Sequence, residues 1–277
     1  MKKHIQTLVE TALAEDIGSG DLTAQLIPEA ASAHAQLISR DVAILCGRPW
    51  FDAVFAELDK SVELVWRAAE GDNLEPDQTL CELRGNARSI LTAERTAINL
   101  LQTLSGTATT TRKYVDQLEG LNTRVLDTRK TIPGMRLAQK YACKIGGAVN
   151  HRIGLYDGVL IKENHIRAAG SIAEAMHQAL ENISHGRLLE VEVENLNELC
   201  EALDAGARRI LLDNFSLEQL REAVAIRPEQ VEFEASGNVS LETLREIAQT
   251  GVDFISVGAL TKHLHAVDYS LQFTLDY

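Results

Sequence analysis

The chain has few of the residues that staple small or exported folds together. Four cysteines, Cys46, Cys81, Cys143 and Cys200, lie far apart in 277 residues with no Cys-x-x-Cys pair. That spacing argues against a disulfide framework and reads as reduced, cytoplasmic thiols. Basic residues are in deficit, 27 against 40 acidic, for a formal charge of −13. A general nucleic-acid binder needs a dominant basic surface, so no nucleic-acid partner is expected. Long apolar runs are missing too. The longest uncharged stretch, residues 96–111, is mostly Thr, Ser, Gln and Asn, so no membrane association is expected. Lys2 and Lys3 open the chain, but Glu10, Glu15 and Asp16 interrupt any apolar signal region.

What remains is an ordinary α/β composition, with 45% hydrophobic and 24% charged residues. Ile5, Leu8, Val9, Ala12 and Leu13 recur at helical spacing and predict a first helix ending in the turn-rich run 15–21. Strand-like pieces follow at 35–39, 42–46 and 62–66. Residues 70–85 resemble half of a lipoyl- or biotinyl-carrier sandwich, but no attachment lysine stands at a hairpin tip. Residues 89–105 predict a helix with Ile90, Ala97, Ile98, Leu101 and Leu104 on one side. Arg95, at the edge of that stripe, reads from helix geometry as a snorkelling arginine whose stem covers apolar surface.

From residue 123 the pattern changes to alternating strands and helices. Strands are predicted at 123–128, 158–162, 188–194, 209–213, 231–236 and 254–258, with a shorter run at 148–150 as a seventh. Helices are predicted at 172–182, 196–205, 217–225 and 241–250. Such alternation implies parallel strands with right-handed crossovers, and this many units favour a barrel. No glycine-rich dinucleotide fingerprint follows the first of these strands, which counts against a Rossmann fold.

In α/β barrels the chemistry gathers at the carboxyl ends of the strands. Here those ends read Asp127-Thr128-Arg129-Lys130, Lys162-Glu163-Asn164-His165, Glu190 to Glu194, Asp213-Asn214, Ser236-Gly237-Asn238 and Val257-Gly258-Ala259. Between residues 124 and 167 nine basic residues face only Asp127, Asp157 and Glu163, a local charge of +6 on an acidic chain. Arg136, Lys140 and Lys144 fit helix-face salt bridging. Arg129, Lys130, Arg152 and Lys162 fall at strand ends or turns and suit a compact polyanion instead. Gly237 and Gly258, in βα turns, fit phosphate cradles, where backbone amides approach an anion. Glu192 and Asp213, on successive strands, suit Mg²⁺ or ribose hydroxyls. Glu190, Glu192 and Glu194 share one side of their strand, and alternation does not say which serves the site. Lys162 also suits a Schiff base, which keeps a lyase in view. His263 and His265 have no companion ligands and read as structural or surface residues.

These motifs resemble the quinolinate phosphoribosyltransferase family (nicotinate-nucleotide pyrophosphorylases, carboxylating) over essentially the whole chain. The carriers include Glu94 to Gln102, Leu126 to Thr131, Asn150-His151-Arg152, Leu160 to His165, Glu190 to Asn195, Leu212-Asp213-Asn214, Ser236-Gly237-Asn238 and Ser256 to Thr261. The resemblance implies an N-terminal α/β-sandwich domain, residues 1–110, and an incomplete seven-stranded α/β barrel, residues 111–264. The tail, residues 265–277, would pack back on the first domain. It also implies a homodimer with shared active sites, and transfer from phosphoribosyl pyrophosphate to quinolinate with decarboxylation and Mg²⁺. By position, Arg129, His151, Arg152 and Lys162 resemble quinolinate-site residues, and Thr128 falls beside them. Arg95 resembles an arginine donated across the dimer, against its snorkelling reading. Lys130 and Lys162 would face the phosphates, Glu192 and Asp213 the ribose and metal, and Ser236, Gly237, Asn238 and Gly258 the 5-phosphate. A transferase acting on nicotinate is the nearest rival.

Overall fold

In the computed structural model, which describes residues 1–183 and 186–276, the first apolar spacing forms helix α1 (Lys2–Ile17). Strands β1 (Ser32–Ser39) and β2 (Ala43–Ile44) follow, then α2 (Arg48–Leu58), β3 (Glu63–Trp66), β4 (Asn73–Leu74), β5 (Thr79–Asn86) and α3 (Ala87–Asp116). After β6 (Arg124–Leu126) and α4 (Arg136–Ile145) the chain enters its strand–helix repeats. These are β7 (Gly158–Ile161) with α5 (Glu163–Ala169) and α6 (Ile172–Asn182), β8 (Leu188–Val193) with α7 (Leu196–Asp204), and β9 (Arg209–Asp213) with α8 (Leu217–Ala225). Then come β10 (Glu232–Ser236) with α9 (Leu241–Ala248), β11 (Phe254–Ser256) with the single-turn α10 (Ala259–Lys262), and finally β12 (Tyr269–Leu275). Among the described residues no helix is long and apolar enough to cross a membrane.

Two compact units result, and neither is contiguous. The first comprises Met1–Arg112, Thr131–Gly147 and the chain from His263 onward; the second comprises Lys113–Lys130 and Ala148–Lys262. In the first, an antiparallel sheet runs in the order β12-β1-β5-β3, and β2 pairs with β4. Alternate residues of β1, Ala33, Ala35 and Leu37, are buried with Trp50, Phe51 and Phe55 of α2 and Ile90, Ile98 and Leu101 of α3. Each large side chain removed from water in this way contributes about 1.5–3 kcal/mol. The sheet packed on helices is the α/β sandwich. Helix α3 outruns the predicted 89–105, reaching Asp116 through a Thr-rich stretch. There Thr107 and Thr111 donate their hydroxyls to the carbonyls of Thr103 and Thr107, four residues back, so they satisfy themselves within the helix. Helix α4 contains no acidic residue and buries Lys140, so Arg136, Lys140 and Lys144 are not an intrahelical salt-bridge ladder. The turn between β4 and β5 carries Asp77, which accepts from Arg40, and no lysine, which leaves the carrier reading without its attachment point.

The second unit is a parallel sheet of six strands in the order β6-β11-β10-β9-β8-β7. Seven strands were expected. The run at 148–150 makes a single parallel bridge, Val149 to Leu126, among the described residues. The physical reason lies next door: Asn150 Nδ2 and the His151 amide donate to the two carboxylate oxygens of Asp127, at 2.6 and 2.9 Å. Those bonds turn the chain away from the ladder before a strand can form, and the barrel stays incomplete. The helices that follow the strands start on side-chain caps. Ser171, Asn195 and Ser216 accept from the amides of Glu174, Glu198 and Gln219, each contributing about 1 kcal/mol.

Candidate active site

Strand alternation sorts the inward side chains of the second unit into three levels. The amino-terminal level holds Arg124, Leu188, Arg209, Glu232 and Phe254. Above it come Leu160, Leu211, Glu234 and Ser256, and at the carboxyl ends Thr128, Lys162, Glu192, Asp213 and Ser236. These upper two levels, with Arg129, Lys130, His151 and Arg152, line one cavity of about 490 Å³. Residues from all six strands or the turns after them meet there, which only a strongly curled sheet permits.

The cavity wall pairs opposite charges. Lys162 donates to Glu192 from the adjacent strand. The Lys162 backbone is itself fixed, since its amide donates to His165 Nδ1 at 3.0 Å and its carbonyl accepts from the His165 amide at 2.7 Å. An ammonium clamped on a carboxylate is the reverse of the neutral, desolvated amine that Schiff-base chemistry needs. Asp213 accepts from Asn214 Nδ2 at 2.7 Å. Thr128 Oγ1 takes the Lys130 amide at 3.1 Å, and the Lys130 carbonyl accepts from Thr261 at 2.7 Å, which anchors the loop bearing Arg129 and Lys130. Arg152 donates to the Gly158 carbonyl at 3.0 Å; burial and the neighbouring Arg129 charge pull its pKa down.

Beneath this wall lies a buried polar floor. His151 Nε2 donates to Glu190 at 2.8 Å, with Glu234 at 3.5 Å. His151 Nδ1 accepts from the Arg152 amide at 2.7 Å, which places the ring proton on Nε2. Arg209 spans Glu190, Glu232 and Glu234 at 3.2, 2.9 and 3.1 Å while stacking 3.6 Å over the Phe254 ring. Burial pulls the His151 pKa down, but its bond to Glu190 and the carboxylate charges outweigh it and leave a net rise. The two glutamates diverge. Burial pushes Glu190 up, but the bond and charge of His151 and the charge of Arg209 leave it below the usual carboxylate range. For Glu234, burial and the Glu190 charge prevail and raise it to about 7. Donor atoms of His151, Glu190 and Glu234 all lie within 4.8 Å of one another, as metal ligands would, yet Arg209 already supplies the positive charge there.

Nine of the thirteen residues singled out from the sequence line the cavity: Thr128, Arg129, Lys130, His151, Arg152, Lys162, Glu192, Asp213 and Ser236. Gly258 sits under the Lys130 side chain, since a Cβ there would come within 3.0 Å of Lys130 Cδ. Gly237 has φ +108 and would drive a Cβ to 2.1 Å from Asn214 Oδ1, so the turn after β10 admits only glycine. Asn238 follows at φ 47. These three are not among the cavity-lining residues. Arg95 belongs to the first unit, where it is exposed and 3.9 Å from Glu94. His263 and His265 are exposed. Glu190 of β8 belongs to the floor and Glu192 to the wall, while Glu194, just past the strand, is exposed with its pKa raised by the Glu163 charge.

The sequence leaves Glu190 as one of three candidates on its strand and Asp127 as part of a strand end, and it does not single out Glu234 or Arg209. A signal was present: β8 and β10 each carry a Glu-x-Glu repeat in the phase of their catalytic-looking ends. A buried charge in that phase must have a partner on the next strand.

A curled parallel sheet with a cationic and carboxylate-lined rim defines a barrel-type site for small polyanions. The comparisons give the family. Residues 21–105 match the quinolinate phosphoribosyl transferase N-terminal domain and residues 107–272 its C-terminal domain. A probable nicotinate-nucleotide pyrophosphorylase [carboxylating] of Bacillus subtilis is 40% identical, covering 98% of this chain and 94% of its own. Quinolinate phosphoribosyltransferase [decarboxylating] 1 of Nicotiana glauca is 38% identical, covering 97% and 82%. The solved nicotinate-nucleotide pyrophosphorylase from Francisella tularensis is 49% identical, with a TM-score of 0.96 over 99% of this chain and 97% of that one. The chain belongs to the quinolinate phosphoribosyltransferase family.

Proposed function

We propose that this cavity transfers the phosphoribosyl group of phosphoribosyl pyrophosphate to quinolinate with loss of CO₂. The products are nicotinate mononucleotide and pyrophosphate, as a step of de novo NAD biosynthesis. The observation that carries the reading is the convergence of Arg129, Lys130, Arg152 and Lys162 with Glu192 and Asp213 in one cavity. Both substrates are compact anions, one bearing two adjacent carboxylates, the other a phosphate and a pyrophosphate. An all-anion reaction requires cations to bring the partners together and to neutralise the leaving group.

Arg129, Arg152 and Lys162, with His151 beside them, hold the dicarboxylate, and Arg95 of a second subunit completes that pocket. Lys130 and Lys162 face the departing pyrophosphate. Ser236, Gly237, Asn238 and Gly258 cradle the 5-phosphate with backbone amides. Glu192 and Asp213 take the ribose hydroxyls and are the carboxylates that would hold Mg²⁺. The fit is chemical: two carboxylates on one wall, beside the space for phosphate oxygens, form the hard oxygen set that this cation prefers. When bound, it would neutralise pyrophosphate charge. The ring nitrogen attacks the anomeric carbon as pyrophosphate leaves, and no covalent enzyme intermediate is needed. The acidic balance and well-spaced thiols support a cytoplasmic location without nucleic-acid or membrane partners, and the homodimer follows from the family resemblance.

The test incubates the purified protein with quinolinate, phosphoribosyl pyrophosphate and Mg²⁺, following nicotinate mononucleotide and CO₂ together, with nicotinate as a parallel substrate. Equal formation of both products from quinolinate alone is expected. Turnover of nicotinate without CO₂ would reassign the pocket to a monocarboxylate.

A further inference from the structure

The floor beneath the site poses a charge problem. Arg209 offers one positive charge to two fully buried carboxylates, Glu190 and Glu234. His151 turns its Nε2 to Glu190 at 2.8 Å and stands 3.5 Å from Glu234, so what positive charge it carries serves Glu190 first. Glu232 also bonds Arg209, but its side chain is 52% exposed and solvated. Burying a second uncompensated carboxylate is strongly unfavourable, so one of the pair must be neutral. Glu190 has the better claim to ionise, since it accepts from both His151 at 2.8 Å and Arg209 at 3.2 Å. Glu234 Oε1 is buried and, among the described residues, has no hydrogen-bond partner. Glu234 also lines the cavity in which the substrates would meet.

We propose that Glu234 is the general acid of the reaction, supplying the proton that takes the place of the departing CO₂. The inference rests on the transfer reading above and deepens it. Once the ring nitrogen has bonded to the anomeric carbon and pyrophosphate has left with its electron pair, the carbon–carboxylate bond at ring position 2 breaks. CO₂ departs without the bonding pair, which stays on the ring carbon beside the cationic nitrogen. The Glu234 O–H bond then breaks, its proton joins that carbon, and the resulting carboxylate regains a proton from water when product leaves. The reaction as a whole consumes one proton, and Glu234 is where the fold stores it. A carboxyl that stays protonated to about pH 7 suits that work. The charged and polar groups facing it are Glu190 from β8, Arg209 from β9, His151 from the segment before β7, Ser256 from β11 and Glu232 on its own strand.

The experiment compares wild-type protein with Glu234→Gln and Glu234→Asp, each checked for folding by circular dichroism and melting. Steady-state pH profiles and single-turnover release of pyrophosphate and CO₂ are measured with quinolinate and phosphoribosyl pyrophosphate. Wild type should lose kcat as pH rises through Glu234 titration. Glu234→Gln should fall about 100-fold in kcat, lack that limb, and release pyrophosphate ahead of CO₂ as the N-ribosylated dicarboxylate accumulates. Glu234→Asp should restore part of the rate and the coupled release. Folded Glu234→Gln with wild-type kcat, limb and release order would overturn the assignment and leave the transfer reading standing. Should Glu234→Gln fail to fold, uncoupled release or a lost limb in Glu234→Asp overturns it instead. A wild-type protein that makes no nicotinate mononucleotide would overturn both.

Discussion

Single residues decide how the floor and wall are held apart. Asp127 is fully buried and takes the Asn150 side chain and the His151 amide, so it sets where His151 begins. Replacing it with alanine strands two donors and should cost about 3 kcal/mol. Urea melts should show that loss, and steady-state assays should show a raised KM for quinolinate, because His151 is no longer fixed. Glu234 makes a prediction of opposite character. It keeps its proton in the folded chain to about pH 7, whereas an exposed glutamate releases it near 4.5. Between those values the folded state binds more protons than the unfolded one, so this group lowers stability as pH rises. The advantage of Glu234→Gln over wild type should therefore grow between pH 5 and pH 7.5, towards an upper bound of roughly 3 kcal/mol. Equal pH dependence of the two melting curves would show that Glu234 titrates normally.

At the scale of elements, β8 shows what period-two alternation can and cannot reveal. The sequence places Glu190, Glu192 and Glu194 on one side of a strand; the first two lie in β8, which ends at Val193, one residue short of Glu194. It did not reveal depth, because the strand is inward-facing along its whole length and depth depends on the neighbouring strands. Glu190 meets Arg209 on β9, and Glu192 meets Lys162 after β7. Glu194 meets solvent. Glu192→Gln should cut kcat about 100-fold by removing charge from the wall, and Glu194→Gln should stay within about 0.5 kcal/mol in stability and near wild type in rate. Parallel assays of the two variants separate wall from rim. The wall residues Arg129, Lys130, Lys162, Asp213 and Ser236 are legible because barrel chemistry sits at strand ends, and those ends can be read directly. The floor was not, since Arg209 and Glu234 look like solvated strand residues until their partners are known. The run at 148–150 stops at one parallel bridge, Val149 to Leu126, where a full strand is expected. Its small β-branched character is real, but Asp127 captures the next residues.

For the whole molecule, the exposed Arg95 and the cavity of the second unit are the two ends of the dimer hypothesis. Mixing equal amounts of Arg95→Ala and Lys162→Ala protein, each inactive alone, should regenerate about a quarter of wild-type activity through mixed dimers with one intact site. Continued inactivity after proven subunit exchange would make each site self-contained.

The pairing of β12 with β1 carries a consequence for biosynthesis. Ala33 to Ser39 line up with Leu275 to Tyr269, so the edge of the first sheet is covered by a strand that leaves the ribosome after the whole of the second unit. The first unit also needs Thr131–Gly147, and it waits through synthesis of nearly all of the second unit. Throughout that interval one side of β1 offers unpaired amides and carbonyls to neighbouring nascent chains. Mutations in β12 should therefore register first as lost soluble yield at high expression rates, while the molecules that do mature turn over normally.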